Sequence, residues 1–296
     1  MQNKKERVQA FFMVLPSILA VAIFIYGFIG WTVRVSFTSW KGMIPDYTWV
    51  GLQNYINLLT NDPRFQVDVR NTLLFTIPFV FGTLIIGLIS ALLLDQGLKG
   101  ETFFRSLFLF PMAISYIVTG VAWRWLMNPA TGARMSGLNL LFSKMGLDFL
   151  NSSYTATPEW GMAYIAIPAI WQLSGYCMAL YLAGLRAIPD EIREAARVDG
   201  ANEFQIFRAI ILPLLRPVTL SALIILGHMS LKTFDLIIAI AGKSYALDMP
   251  SIYMWNTTFD GHVYGVGAAI SILLLISVAI LIIPYLIYSL RKEAQL

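Results

Sequence analysis

One cysteine, Cys177, and two histidines leave this chain of 296 residues poor in the side chains that disulfide frameworks and most metal sites require. Cys177 lies inside an apolar run, and His228 and His262 stand far apart, so neither a ligand cluster nor an activated nucleophile is apparent. Charge is scarce as well. Asp, Glu, Lys and Arg make up 13% of the chain and the net charge is +4, too little for a nucleic-acid-binding surface. The tripeptide Gly242-Lys243-Ser244 resembles the end of a phosphate-binding loop, but Ile237 occupies the position where that loop needs its first glycine. The expectation is therefore no enzyme, no catalytic residue, no metal site, no cofactor bound by this chain and no nucleic-acid partner.

What is abundant is apolar side chain, 57% of the residues. A soluble domain of this size could not bury so much, whereas a bilayer can. Runs of roughly 20 apolar residues, enough to cross a ~30 Å core as helix, recur about six times. They fall near 11–33, 72–94, 106–126, 162–183, 218–241 and 265–289. The runs are continuously apolar rather than alternating, which argues against barrel strands. The expected fold class is thus all-α, a polytopic membrane protein in contact with the lipid bilayer. Lys4, Lys5 and Arg7 ahead of the first run look like a secretory signal, but apolar character continues to Val33, so a retained span is expected.

Short-loop basic residues predict the orientation. With the N-terminus inside, Lys4, Lys5, Arg7, Lys99, Arg105, Arg186, Arg193, Arg197, Arg208, Arg216, Arg291 and Lys292 all face the cytoplasm, 12 of the 21 basic residues. Both termini are then cytoplasmic. The outside segments 38–70 and 128–160, rich in Asn, Asp, Gly, Pro and aromatics, read as folded loops with short helices.

Between the fourth and fifth runs, residues 186–217 carry five arginines and five acids. Pro189 followed by Asp190 and Glu191 is a helix start, with acids at the positive helix end. Gly200 divides two short helices, Phe204 and Phe207 stand three apart on the second, and Pro213 and Pro217 lead back to the membrane. Such a hairpin either lies on lipid headgroups or docks a soluble partner, and its acids count against anionic lipid.

Glu194-Ala195-Ala196, Gly200, then Ile210, Leu212 and Pro213 match the pattern E-A-A-x-x-x-G, nine residues, I-x-L-P at every fixed position. This is similar to the signature loop of bacterial and archaeal ABC importer permeases. The likeness implies a single transmembrane permease domain over 1–296 whose loop 189–213 couples to a cytoplasmic ATPase. It further implies that Glu194, Ala195, Ala196, Asp199, Gly200, Ala201, Phe204, Phe207 and Pro213 take part in coupling to the ATPase, with Glu194 and Gly200 setting the loop's shape and Ala201–Arg208 supplying the contact surface. Trp49-Val50-Gly51-Leu52-Gln53-Asn54-Tyr55, Asp62-Pro63, Asn71-Thr72, Phe103-Phe104-Arg105, Pro111-Met112, Trp123-Arg124-Trp125, Asn128-Pro129 and Tyr181-Leu182-Ala183-Gly184-Leu185 extend the resemblance to the carbohydrate-uptake branch. Membership implies a second homologous permease, a nucleotide-binding ATPase dimer that holds ATP and Mg, and an extracytoplasmic sugar-binding protein. One departure is visible: where many relatives have a Gly-Gly-Gly-Pro turn, this chain has Ala241-Gly242-Lys243-Ser244 and no proline before Pro250. Monosaccharides such as glucose or mannose, disaccharides such as maltose or trehalose, and glycerol-phosphate-like solutes are all compatible with the resemblance, and the fifth run and that loop faintly resemble glucose and mannose members.

The fifth run also holds His228, Lys232 and Asp235, which a continuous helix places on one face. Each ionisable group inside a membrane costs about 2.5–3.5 kcal/mol on insertion scales, so partners or water are required, and Lys232 with Asp235 could neutralise each other. Three readings follow: a polar lining for a sugar path, a structural ion pair, or the coupling site of an ion-driven secondary transporter. Gln172 beside Trp171 in the fourth run is a second candidate patch, with helix packing as its plainer alternative.

Overall fold

The computed structural model describes residues 4–97 and 99–293. Among these, the regular structure is helical, and the one β interaction is an isolated antiparallel bridge between Thr38 and Trp49. Four helices are long and apolar enough to cross a membrane: Phe11–Ser36, Pro63–Leu94, Gly161–Arg186 and Tyr264–Ile287. Two bent pairs bring the number to six if each counts as one span: Glu101–Ala113 with Tyr116–Leu126, and Glu203–Leu214 with Arg216–Leu231.

The third and fifth expected spans, 106–126 and 218–241, are each interrupted rather than one continuous helix. The third span turns by 96° at Ile114 and Ser115. Pro111 cannot donate to the preceding turn, and Ser115, in extended conformation, starts a new helix by accepting the Val118 N–H at 3.3 Å. The fifth span is interrupted between Leu231 and Asp235. There Ser230 and Thr233 hydroxyls donate to the carbonyls of Gly227 (2.8 Å) and Met229 (3.0 Å), a local bonding pattern that competes with the helical ladder. The chain also bends by 61° at Leu215, before Pro217.

The chain divides into two compact units. One comprises Met1–Gln66 and Pro250–Ser277. Its first span exposes its whole apolar window, as expected for a helix facing lipid tails or another chain. Beyond it, Leu58 and Phe65 pack with Ala269 and Ile270 as a small core. The other unit comprises Val67–Met249 and Val278–Leu296. At its centre runs Gly161–Arg186, with 67% of its apolar window buried. Small residues allow this helix close neighbours. A Cβ at Gly175 would lie 1.9 Å from the Phe108 carbonyl oxygen, so only glycine fits where the third span crosses it. Polar side chains tie helices together in the same unit: Tyr181 donates to Thr219 (3.1 Å) and Thr76 to Ser230 (3.0 Å).

Candidate functional site

The charged island folds as a hairpin of two short helices. The first, Asp190–Val198, begins after Pro189 with Asp190 and Glu191 in its opening turn. It ends as glycine dictates. Gly200 has φ +86°, its N–H bonds the Arg197 carbonyl at 3.0 Å, and the Ala201 N–H bonds the Ala196 carbonyl at 3.0 Å. That pair of bonds is a Schellman cap, which needs a left-handed residue at the position Gly200 holds. Asp199 stands at the C-cap between them. No atom lies within 4 Å of a Cβ built on Gly200, so backbone conformation and not crowding selects glycine.

The second helix starts at Asn202 with a reciprocal capping box: Gln205 N–H to Asn202 Oδ1 at 2.9 Å, and Asn202 N–H to Gln205 Oε1 at 2.8 Å. Arg197 Nε donates to Glu203 Oε1 at 2.8 Å, joining the two helices across the turn. This bond holds the Glu203 carboxyl below its ordinary value and raises Arg197. Glu194 and Ala195 are exposed and Ala196 is half-buried. Phe204 is 69% exposed and Val198 87%, whereas Phe207 is half-buried in the π-helical turn Phe207–Ile211. The exposed apolar knob is thus Phe204 with Val198, and Phe207 belongs to the base of the hairpin. Pro213, half-buried, lies in the helical turn Leu212–Leu214.

His228, Lys232 and Asp235 line one cavity of about 230 Å³ with Phe79, Tyr116, Ala169 and Leu173. Their arrangement differs from a single helical face. His228 is in the helix before the break, Lys232 caps it, and Asp235 opens the next helix, Asp235–Ala241. An acid there meets the positive end of a helix, which replaces part of the stabilisation a lysine partner could give. Among the described residues no ion pair joins Lys232 to Asp235; both are exposed, and His228 Nδ1 is buried without a hydrogen-bond partner. The anticipated neutralising pair is therefore absent, because the break turns the two side chains off a common helical row.

Gln172 and Trp171 lie elsewhere. Gln172 is 2% exposed and donates from Nε2 to the Ile114 carbonyl at 2.6 Å, satisfying a backbone acceptor that the third-span bend releases. Trp171 packs near Trp123, ring centroids 6.1 Å apart, and lines a different, largely apolar cleft of about 640 Å³. Tyr116 is a cavity residue that sequence reasoning passed over; the serine cap just before it was the available signal.

Residues 83–292 match the family described as binding-protein-dependent transport system inner membrane component. A probable ABC transporter permease protein of Pyrococcus horikoshii is 40% identical over 95% of this chain and 96% of its own length. The xylose/arabinose import permease of Haloferax volcanii is 33% identical over 94% of this chain and 86% of its own. A solved structure of a bacterial alginate ABC transporter, in complex with its alginate pentasaccharide-bound periplasmic protein, shares the fold. Its TM-score is 0.76, at 23% identity over 94% of this chain and 93% of that one. Apolar spans, two of them bent, with a capped charged hairpin between the fourth and fifth, fit an ABC importer permease. The chain belongs to the binding-protein-dependent transport system inner membrane component family. It is a multi-pass membrane transport subunit and not an enzyme.

Proposed function

We propose that this chain is one of two permease subunits in an ATP-driven carbohydrate importer. The observation that carries the reading is the exposed hairpin around Gly200, which has every signature position in place, caps where its two helices meet, and an exposed apolar knob of Val198 and Phe204. A partner ATPase dimer, holding ATP and Mg, grips that knob; a second permease completes the path; an extracytoplasmic binding protein delivers the sugar. Both termini and the hairpin face the cytoplasm, as the distribution of lysine and arginine favours.

The break in the fifth span supports a substrate path at His228, Lys232 and Asp235, because interrupted helices bring polar backbone and side chains to the middle of a membrane. Hydroxyl-rich solutes would meet donors from His228 and Lys232 and an acceptor from Asp235. ATP-driven closure of the ATPase moves the hairpins, and the spans of the whole chain, 1–296, reorient around that path. Gln172 supports the path through the bend at Ile114, and Trp171 lies outside it. A hexose such as glucose or mannose is our preferred substrate, on the resemblance of the fifth span and the following loop; the Haloferax volcanii relative is named for pentoses.

Purification of the tagged chain from its native membrane in mild detergent, with mass spectrometry of the retained proteins, tests the assembly. A P-loop ATPase and a second permease of the same family are the expected companions, and uptake of a panel of sugars by the reconstituted complex then identifies the cargo. Recovery of the chain alone, with solute movement driven by an ion gradient, would overturn the proposal.

A further inference from the structure

Resting on that importer reading, we propose that Arg193 is a positioning residue that ties the coupling hairpin to the cytoplasmic ends of the second and fourth spans, so that motion of the hairpin is passed directly to both helices. The hairpin is continuous in sequence with the fourth and fifth spans only. Among the described residues, Arg193 bonds it to the end of the second as well. Arg193 Nη1 donates to Asp95 Oδ2 at 2.8 Å, and Nη2 of the same guanidinium donates to the Leu185 carbonyl at 3.1 Å.

Asp95 follows directly on the end of the helix Pro63–Leu94, and Leu185 is one residue from the end of Gly161–Arg186. A carboxylate at a helix C-terminus opposes the macrodipole, and the Leu185 carbonyl, which accepts the Ile188 N–H at 3.2 Å, has a second lone pair free for the guanidinium. One guanidinium meets both acceptors. The planar fork of arginine can serve two acceptors at once, which a lysine ammonium on a flexible stem does less well. The bond differs from a solvated surface pair. The Arg193 and Asp95 side chains are 17% and 13% exposed, against 51% and 74% for Arg197 and Glu203. Exposed pairs contribute little, whereas loss of one partner from a shielded pair leaves the other uncompensated. Arg193 points into the base of the hairpin, so its role is separate from contact with the ATPase.

The experiment uses the assembled importer in nanodiscs with Cys177→Ala as background. Spin labels go on Gln96→Cys and Glu191→Cys, both exposed positions flanking the tie. A narrow distance distribution is expected with Arg193 present, a broad one with Arg193→Ala, and an intermediate one with Arg193→Lys. In proteoliposomes without labels, Arg193→Ala and Asp95→Asn should retain ATP hydrolysis but transport less per ATP, with a fall of about fivefold or more for Arg193→Ala. An unchanged distance distribution in Arg193→Ala refutes the tie. Broadening with an unchanged uptake-to-ATP ratio refutes its part in transport. Absence of ATP-driven uptake in the parent protein would instead count against the importer reading, while the distance measurement still decides the tie.

Discussion

Gly200 gives the sharpest test of the coupling hairpin, because the reason for glycine there is conformational alone. Its φ of +86° supports the two cap bonds that end the first hairpin helix, and a Cβ added to it meets nothing within 4 Å. An L-residue held in a left-handed conformation loses roughly 1–2 kcal/mol. Alanine at this position should therefore shift the capped-to-frayed ratio of the hairpin by about 5- to 30-fold. Valine, whose branched Cβ tolerates positive φ worst, should shift it further, whereas asparagine adopts this region more readily and should cost least. The expected order of ATP-coupled uptake in proteoliposomes is then wild type, Gly200→Asn, Gly200→Ala, Gly200→Val. Membrane insertion, followed as chain recovered in the membrane fraction, should be equal in all four. An order that follows side-chain size, with alanine above asparagine, or full uptake by Gly200→Val, would refute the reasoning.

Other perturbations bear on the remaining contacts. Asp235→Ala should leave copurification of partner subunits intact and raise the substrate concentration needed for half-maximal uptake, since no ion pair with Lys232 is lost; failure of assembly would restore a structural role. Gln172→Leu leaves the part-buried Ile114 carbonyl without its donor and should cost about 1 kcal/mol, seen as a lower Tm. Cys177, 0% exposed, makes a thiol-reactive dye a direct reporter of that unfolding, and an unchanged Tm would show the bond to be dispensable. Glu203 titrates in the folded hairpin below its ordinary 4.5 because of Arg197. Its stabilising contribution is therefore present above pH 4.5 and is lost as pH falls through the lowered folded value. Hydrogen exchange of the hairpin amides should show that acid loss in wild type but not in Glu203→Gln; the same acid response in both would remove Glu203 from the account.

What the sequence determined by itself is everything that rests on local chemistry. Apolar runs long enough for a bilayer fixed the helical membrane class, since a backbone in hydrocarbon must bond internally. The hairpin was legible residue by residue: a proline and two acids to start a helix, a glycine to end it, an asparagine to begin the next. Tertiary structure decided the rest. Whether Phe207 faced outward depended on the base of the hairpin packing against it. Periodicity assumed one straight fifth span, and only the folded chain shows Ser230 and Thr233 bonding backward at the break, which separates Lys232 from Asp235 while leaving both on one cavity. Gln172 is an unremarkable polar residue until the third span bends and presents the Ile114 carbonyl to it. Arg193 and Asp95 lie far apart in the chain, and no local pattern pairs them. Their contact exists because the C-terminal ends of two spans meet the first hairpin helix at one place, and such partners are chosen by proximity in space rather than in sequence.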